Sequence, residues 1–231
     1  AVLPAHMLAS PSFLAITVVT KGADGSSSVS PAFSFVAYQD NPVLSSVVTS
    51  GTIFENSPGQ NVALQGTGFL TGAIVKVNGV SEGIQANVID ETRIQAYVPA
   101  SFFAQGGIYP VTVENPYPPG AESNIQFLNV YYPTPGVQQI VPASCSARLE
   151  QGANPLSIDV LGHDFRRGAV VLFNGTPLVT SYCETDAYCL TVHLFATVPA
   201  SLLQRAGFAK IEVQNPNPSL ANSEVVYLRI E

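Results

Sequence analysis

Three cysteines, Cys145, Cys183 and Cys189, and three histidines, His6, His163 and His193, are the side chains of this 231-residue chain most able to act as redox centres, nucleophiles or metal ligands. The five residues Glu184-Thr185-Asp186-Ala187-Tyr188 separate Cys183 from Cys189, a length that a hairpin loop can close. The spacing therefore predicts a disulfide stapling a loop tip, which requires an oxidising compartment. Its gain is modest, about 2–3 kcal/mol, because so short a loop has little closure entropy to lose. Cys145 then stays free or takes one of the other two as its partner; three reduced, buried thiols are the remaining arrangement. His193 follows Cys189 by four residues. In one continuous strand, at ~3.3 Å per residue, their Cα atoms stand ~13 Å apart. One zinc ion, with bonds of ~2.0–2.3 Å, cannot easily take both. No metal site is expected.

Other chemistries find less support. His193 occupies the outward position that Arg93 holds in a related strand, and reads as a solvated surface residue. His163-Asp164 precedes a core phenylalanine, where Asp serves a turn. Gly66-Thr67-Gly68 looks like the start of a nucleotide loop but lies between two strands, with no helix N-terminus to hold phosphate. No G-x-S-x-G, H-E-x-x-H, P-loop or G-x-G-x-x-G pattern occurs. Glu184 and Asp186 fall short of the six to eight oxygens, roughly, that Ca²⁺ takes. Neither an enzyme nor a bound cofactor is expected. For carbohydrate, the chain lacks Trp, but Tyr117, Tyr182 and Tyr188 fall in loops or in an insertion and can reach a ligand. Tyr97, Tyr109, Tyr131 and Tyr132 read as strand or linker packing. Asn174-Gly175-Thr176 fits a glycosylation acceptor, yet Asn78-Gly79-Val80 occupies the same place upstream, and a tight turn explains both asparagines.

The elements that carry these residues repeat. Val98-Pro99-Ala100-Ser101 returns as Val198-Pro199-Ala200-Ser201 and, more weakly, as Leu3-Pro4-Ala5-His6. Sixteen residues after each Pro stand Asn115, Asn215 and Thr20, and eight further on Ser123, Ser223 and Ser28. Upstream, Gly66-Thr67-Gly68-Phe69 matches Gly162-His163-Asp164-Phe165 at an offset of 96, whereas the Pro landmarks are offset by 100. Four residues are thus inserted between Gly175 and Pro199, in the segment that holds Cys183 and Cys189. Ile94, Ala96 and Val98 alternate with Arg93, Gln95 and Tyr97, as do Leu194, Ala196 and Val198 with their neighbours, the period of half-buried strands. Asn-Gly pairs mark hairpin turns, and Pro99 opens a short helical turn. About seven strands per unit is the count of an immunoglobulin-like sandwich.

Composition narrows the classes. Charged residues make up only 11% of the chain, and 9 Lys plus Arg against 16 Asp plus Glu give a net charge of −7. Such a surface cannot release counterions from nucleic acid, nor is it drawn to anionic membrane. Apolar residues reach 46%, too many for a disordered tail, and 18 Gly with 18 Pro are too many for long helices. No apolar run has the ~18 residues of a membrane-spanning helix. Ala1-Val2-Leu3-Pro4 has no basic n-region, so either a signal was removed or the sequence is an excerpt.

The order G-x-G/D-F, N-G, V-P-A, V-x-N-P, S-N resembles the IPT/TIG family. It is carried here by Gly66-Thr67-Gly68-Phe69, Asn78-Gly79, Val98-Pro99-Ala100, Val113-Glu114-Asn115-Pro116 and Ser123-Asn124, then by the second copy. The resemblance implies an all-β chain of tandem immunoglobulin-like β-sandwiches with short Pro-containing linkers (Gln39-Asp40-Asn41-Pro42 and Tyr131-Tyr132-Pro133-Thr134-Pro135), the family having no shared catalytic residues. The expected domains are 1–39, the C-terminal part of an incomplete repeat; 40–131, a whole sandwich; and 132–231, a sandwich with the Cys-bounded insertion. Tandem modules on semi-rigid linkers make a rod. The expectation is a non-enzymatic spacer or adhesive module of a bacterial extracellular or cell-surface protein. Its partner would be a protein or polysaccharide surface, with neither nucleic acid nor membrane insertion involved. An ancillary module of a polysaccharide-degrading enzyme is the alternative. The strands in 1–39 cannot bury their apolar face alone. Either strands upstream complete them, or strand addition from another chain makes homo-oligomers.

Overall fold

The computed structural model describes residues 12–37, 40–116, 120–142, 144–145, 155–185 and 187–231. Leu3-Pro4-Ala5-His6, Gln39, Tyr117 and Asp186 lie outside the described residues. Two compact units divide the chain. One takes in the residues up to Gly51, with Gly59–Phe102 and Tyr109–Leu128; the other takes in Thr52–Pro58, Phe103–Ile108 and Asn129–Glu231.

The N-terminal segment is four short strands, β1 (Ser12–Ile16), β2 (Val19–Lys21), β3 (Ser27–Val29) and β4 (Phe33–Ala37). β1 pairs antiparallel with β4, and β2 with β3, so the segment is one long hairpin with a break in each arm.

The first complete repeat supplies β5 (Val43–Thr49), β6 (Ile53–Phe54), β7 (Gln60–Thr67), β8 (Ile74–Val77), β9 (Gln85–Asp90), β10 (Arg93–Val98), β11 (Gly107–Asn115), β12 (Ala121–Glu122) and β13 (Gln126–Tyr131). One sheet runs β5-β7-β10-β9 and the other β12-β11-β13-β6, with β8 also on β11. Short β6 lies parallel to β13, Ile53 opposite Val130. This is the immunoglobulin arrangement, A-B-E-D on one sheet and C-F-G on the other. The period of two read from the sequence sets its core: in β10 Ile94, Ala96 and Val98 are buried while Arg93, Gln95 and Tyr97 face out. Leu64, Val75, Val111, Val113, Leu128 and Val130 are among those that join them from both sheets.

The second repeat copies this plan with β14 (Gly136–Val141), β15 (Ser144–Cys145), β16 (Leu156–His163), β17 (Val170–Phe173), β18 (Thr176–Pro177), β19 (Val179–Tyr182), β20 (His193–Val198), β21 (Gly207–Gln214) and β22 (Val226–Ile230). Its sheets run β14-β16-β20-β19 and β15-β22-β21-β17-β18. Ile158, Val160, Phe165, Val171, Leu194, Ile211, Val213 and Leu228 form one cluster between them. After Pro99 and Pro199 the chain makes a 3₁₀ turn, Ala100–Phe103 and Ala200–Leu202, that drops Phe103 and Leu203 into the interior. The insertion departs from the expected strand: residues Ala187–Val192 wind into a short helix, α1.

Candidate functional site

The landmarks that define the repeats turn out to be spent on the fold. Asn115 is buried; its Oδ1 accepts from the Leu70 amide and its Nδ2 donates to the Gly68 carbonyl. Asn215 does the same with Arg166 and Asp164, and adds the Pro133 carbonyl. Burial of a side-chain amide is tolerated because each polar atom is paired. Ser123 and Ser223 lock the next strand. Each Oγ accepts from the amide of Val113 or Val213, and each amide donates back to the carbonyl of that same valine.

Gly66 and Gly162 are fixed by contact: a Cβ there would stand 2.0 Å from the Val43 carbonyl oxygen or 1.9 Å from that of Gly136, and 2.6 Å from the ring of Phe69 or Phe165. Two residues on, Gly68 at φ 74° and Asp164 at φ 59° take the same left-handed turn, with Asp tolerating what Gly does freely. His163 Nδ1 sits 2.9 Å from the Asp164 carboxylate, both side chains well exposed. These motifs hold strands and leave no reacting atom to serve.

The Cys-bounded insertion is different. Cys183 and Cys189 are joined as a disulfide with Cα atoms 5.5 Å apart. Cys183 is buried, with its sulfur 3.2 Å from Thr185 Oγ1. The strand that would have kept Cys189 ~13 Å from His193 is not there. Four residues across the end of a helix bring side chains to about 5–6 Å of each other, and His193 opens β20 directly after α1. The ligand atoms of Cys183, Cys189 and His193 consequently all lie within 4.8 Å of one another. His193 is no solvated residue either: its side chain is 23% exposed, and Nε2 is buried with no hydrogen-bond partner among the described residues. Asp159 Oδ2 stands 3.7 Å from that nitrogen, and the Phe195 ring packs at 4.5 Å on the imidazole. Sequence reasoning missed Asp159. Its register, opposite Phe195 and one step along the face from His193, is set by the pairing of β16 with β20.

Of the three expected tyrosine contacts, Tyr182 alone has a described side chain. Tyr117 lies outside the described residues, and Tyr188 is placed in α1 without a described side chain. Tyr182 turns inward: its hydroxyl accepts from the Gly168 amide and donates to the Ala169 carbonyl, and its ring packs on the core. Its hydroxyl braces the sheet, as a half-buried phenol must find a partner. Glu184 is held by Arg167 at 2.9 Å in an exposed pair. Cys145 stands in β15.

A second candidate is the N-terminal hairpin. Val18 and Ser30 repeat the Val113–Ser123 lock: Ser30 Oγ accepts from the Val18 amide, and the Ser30 amide donates to the Val18 carbonyl. This corrects the expected match of Ser28, because the hairpin tip is two residues longer here; Thr20 keeps its match to Asn115. The equivalences place Ile16 at Val111, Val18 at Val113 and Phe35 at Leu128. Those three core residues are 1%, 0% and 3% exposed in the first repeat, while Ile16, Val18 and Phe35 are 38%, 63% and 38% exposed. Val19 and Val29, opposite each other, stand where the first repeat has Glu114 and Glu122 around Lys76, and both are exposed.

Strand order and register thus define the class: an all-β chain of immunoglobulin-like sandwiches. No protein-family model matches the chain, and no curated protein matches it in sequence. Among solved structures it is similar to murine CEACAM1b, at 16% identity and a TM-score of 0.40 over 80% of this chain and all of that one. It is similar also to two structures of the plexin A4 full extracellular region, one of domains 1 to 8, at 15% identity and a TM-score of 0.31, and one of domains 1 to 10, at 14% and 0.32. These matches cover 82% and 83% of this chain but only 18% and 16% of the plexin chains. No helix among the described residues is long and apolar enough to cross a membrane.

Proposed function

We propose that this chain is a non-enzymatic structural or adhesive module of an extracellular or cell-surface protein. Its organisation is two IPT/TIG-type sandwiches, 40–131 and 132–231, preceded by the C-terminal part of a third, 1–39. The exposed hairpin of that third repeat takes up added strands, from upstream in the whole protein or from a second copy of the chain. The observation that carries this reading is the exposure of Ile16, Val18 and Phe35, whose equivalents are core residues in the first repeat. An isolated hairpin with an apolar face is marginal in water, and each added strand would bury such positions at about 25 cal/mol per Å². In the first repeat the matching hairpin takes β8 antiparallel on one side and β6 parallel on the other. A second copy of the chain laid against β1 and β4 supplies strands to the same edges and makes dimers or filaments. The Cys183–Cys189 bond supports the extracellular setting, because such bonds persist where the surroundings oxidise.

Light scattering over a wide dilution series tests it. The expected result is a mass that rises with concentration above the monomer, and a return to monomer for Val18→Lys with Phe35→Lys. A monomer stable at every concentration in the unaltered chain sinks the self-association.

A further inference from the structure

We propose that the thiol loop of the second repeat is a redox-gated site for a borderline-soft divalent cation of the zinc class. With the Cys183–Cys189 bond reduced, both sulfurs and His193 Nε2 become ligands, and Asp159 supplies the fourth. The inference does not depend on self-association.

Three independent features converge on it. The first is distance. Tetrahedral zinc with bonds of ~2.3 Å to sulfur and ~2.0–2.1 Å to nitrogen or oxygen holds its donors roughly 3.3–3.8 Å apart. The Cys183, Cys189 and His193 donors already lie within 4.8 Å, and His193 Nε2 is 3.7 Å from Asp159 Oδ2. Bonded to each other, the two sulfurs cannot both ligate one ion, and cutting their bond is what frees them to move apart.

The second feature is the buried Nε2. An imidazole nitrogen shut away from water loses the hydrogen bond water would give it, and none of the described residues replaces that bond. A metal ion is a partner that needs it neutral and unprotonated, the state in which imidazole ligates.

The third feature is coincidence in the repeat. Where the second repeat has His193 and Asp159, the first has Arg93 and Ala63, and it has no cysteine at all. The sandwich therefore folds without this set, which arrives together with the four-residue insertion.

The chemistry closes. A dithiol reductant attacks one sulfur, passes through a mixed disulfide and leaves as a cyclic disulfide, giving two electrons to the protein bond. Cys183 and Cys189 become thiols, and the two protons come from the dithiol. On binding, the cation displaces both thiol protons to solvent, so two thiolates, one carboxylate and a neutral imidazole surround it. A cyclic disulfide of the same dithiol class reverses the exchange: it accepts the two electrons and, with two protons from solvent, becomes the dithiol, while the Cys183–Cys189 bond re-forms and the ion leaves.

Cobalt(II) serves as the spectroscopic probe, titrated without oxygen into the full chain, reduced and oxidised. The reduced chain is expected to bind one equivalent with the visible bands of tetrahedral cobalt and a thiolate charge-transfer band, both removed by zinc; the oxidised chain gives neither. His193→Gln, and His193→Arg, which installs the first repeat's residue, should each weaken binding roughly tenfold or more, the scale on which metal-site shells act. Cys145→Ser should leave it unchanged. Circular dichroism confirms that the variants keep their strands. A reduced chain that shows only aqua-cobalt overturns the proposal. So does undiminished binding in both His193 variants, or binding lost with Cys145.

Discussion

The D–E hairpin of the first repeat, β9 to β10, and that of the second, β19 to β20, occupy one place in the sandwich but are closed by different means. In the first, Glu91 and Thr92 make a two-residue turn pinned by Asp90, whose carboxylate accepts from the Thr92 amide and hydroxyl and from Arg93 Nε and Nη2. In the second, a disulfide and the six-residue helix α1 take the place of that turn. What both keep is the docking onto the neighbouring strand turn: Phe69 donates to the Glu91 carbonyl, and Phe165 to that of Thr191. The sandwich needs the docking and is indifferent to the closure, so the closure is where new chemistry can be added without cost to the core.

The strongest test of that division is the shared part. Gly162→Ala and Gly66→Ala each force a Cβ into a backbone oxygen and a buried ring, neither of which has room to yield. Each is expected to cost about 3 kcal/mol or more, in the range of severe overpacking, seen as a large fall in the denaturant midpoint. If one repeat tolerates the change and the other does not, the docking is not common to both.

A smaller effect separates the closures. Reducing the disulfide should cost the second repeat about 2 kcal/mol, the closure entropy of so short a loop, and leave the first untouched. Hydrogen exchange with and without a reductant reads this strand by strand. Equal loosening of β10 and β20 would mean that the staple does not act locally. Zinc added to the reduced chain should restore the protection of β20, because an ion that binds only the folded form stabilises it.

Much of this contrast was legible in the residues, and the limits are physical. Ile94-Ala96-Val98 and Leu194-Ala196-Val198 announce strands because one buried face forces a period of two. Asn78-Gly79 and Asn174-Gly175 announce turns because they adopt the left-handed backbone such turns demand, at φ 53° and 77° and at φ 50° and 82°. The cysteine spacing announces a closable loop. Ala187-Tyr188-Cys189-Leu190-Thr191-Val192 does not announce a helix, since a six-residue apolar run carries no period long enough to tell helix from strand. That ambiguity hid the approach of His193 to the sulfurs. Asp159 was hidden for another reason: its neighbours come from strand register, which spacing along the chain does not encode. Ser28 was matched in place of Ser30 because fixed spacing fails wherever a hairpin tip changes length.

The smallest effect belongs to the first repeat's own closure, and pH exposes it. Hydrogen bonds from Arg93, then from the Thr92 side chain and amide, hold the Asp90 carboxyl well below its ordinary value of 3.8. A depressed carboxylate contributes stability that is present above its unfolded pKa and is lost as the pH falls through its folded one. Asp90→Asn abolishes the titration and the ion pair together. At neutral pH the unaltered chain should melt slightly above the variant, by little, since the pair is exposed and screened by salt. Below pH 3.8 the gap should narrow with acid, because the unfolded chain takes up a proton that the folded Asp90 still refuses, until the folded carboxyl titrates too. A gap that is constant from neutral pH into strong acid would show that Asp90 closes the turn as a neutral acceptor rather than as a charge. The first hairpin would then be closed, like the second, without a charge.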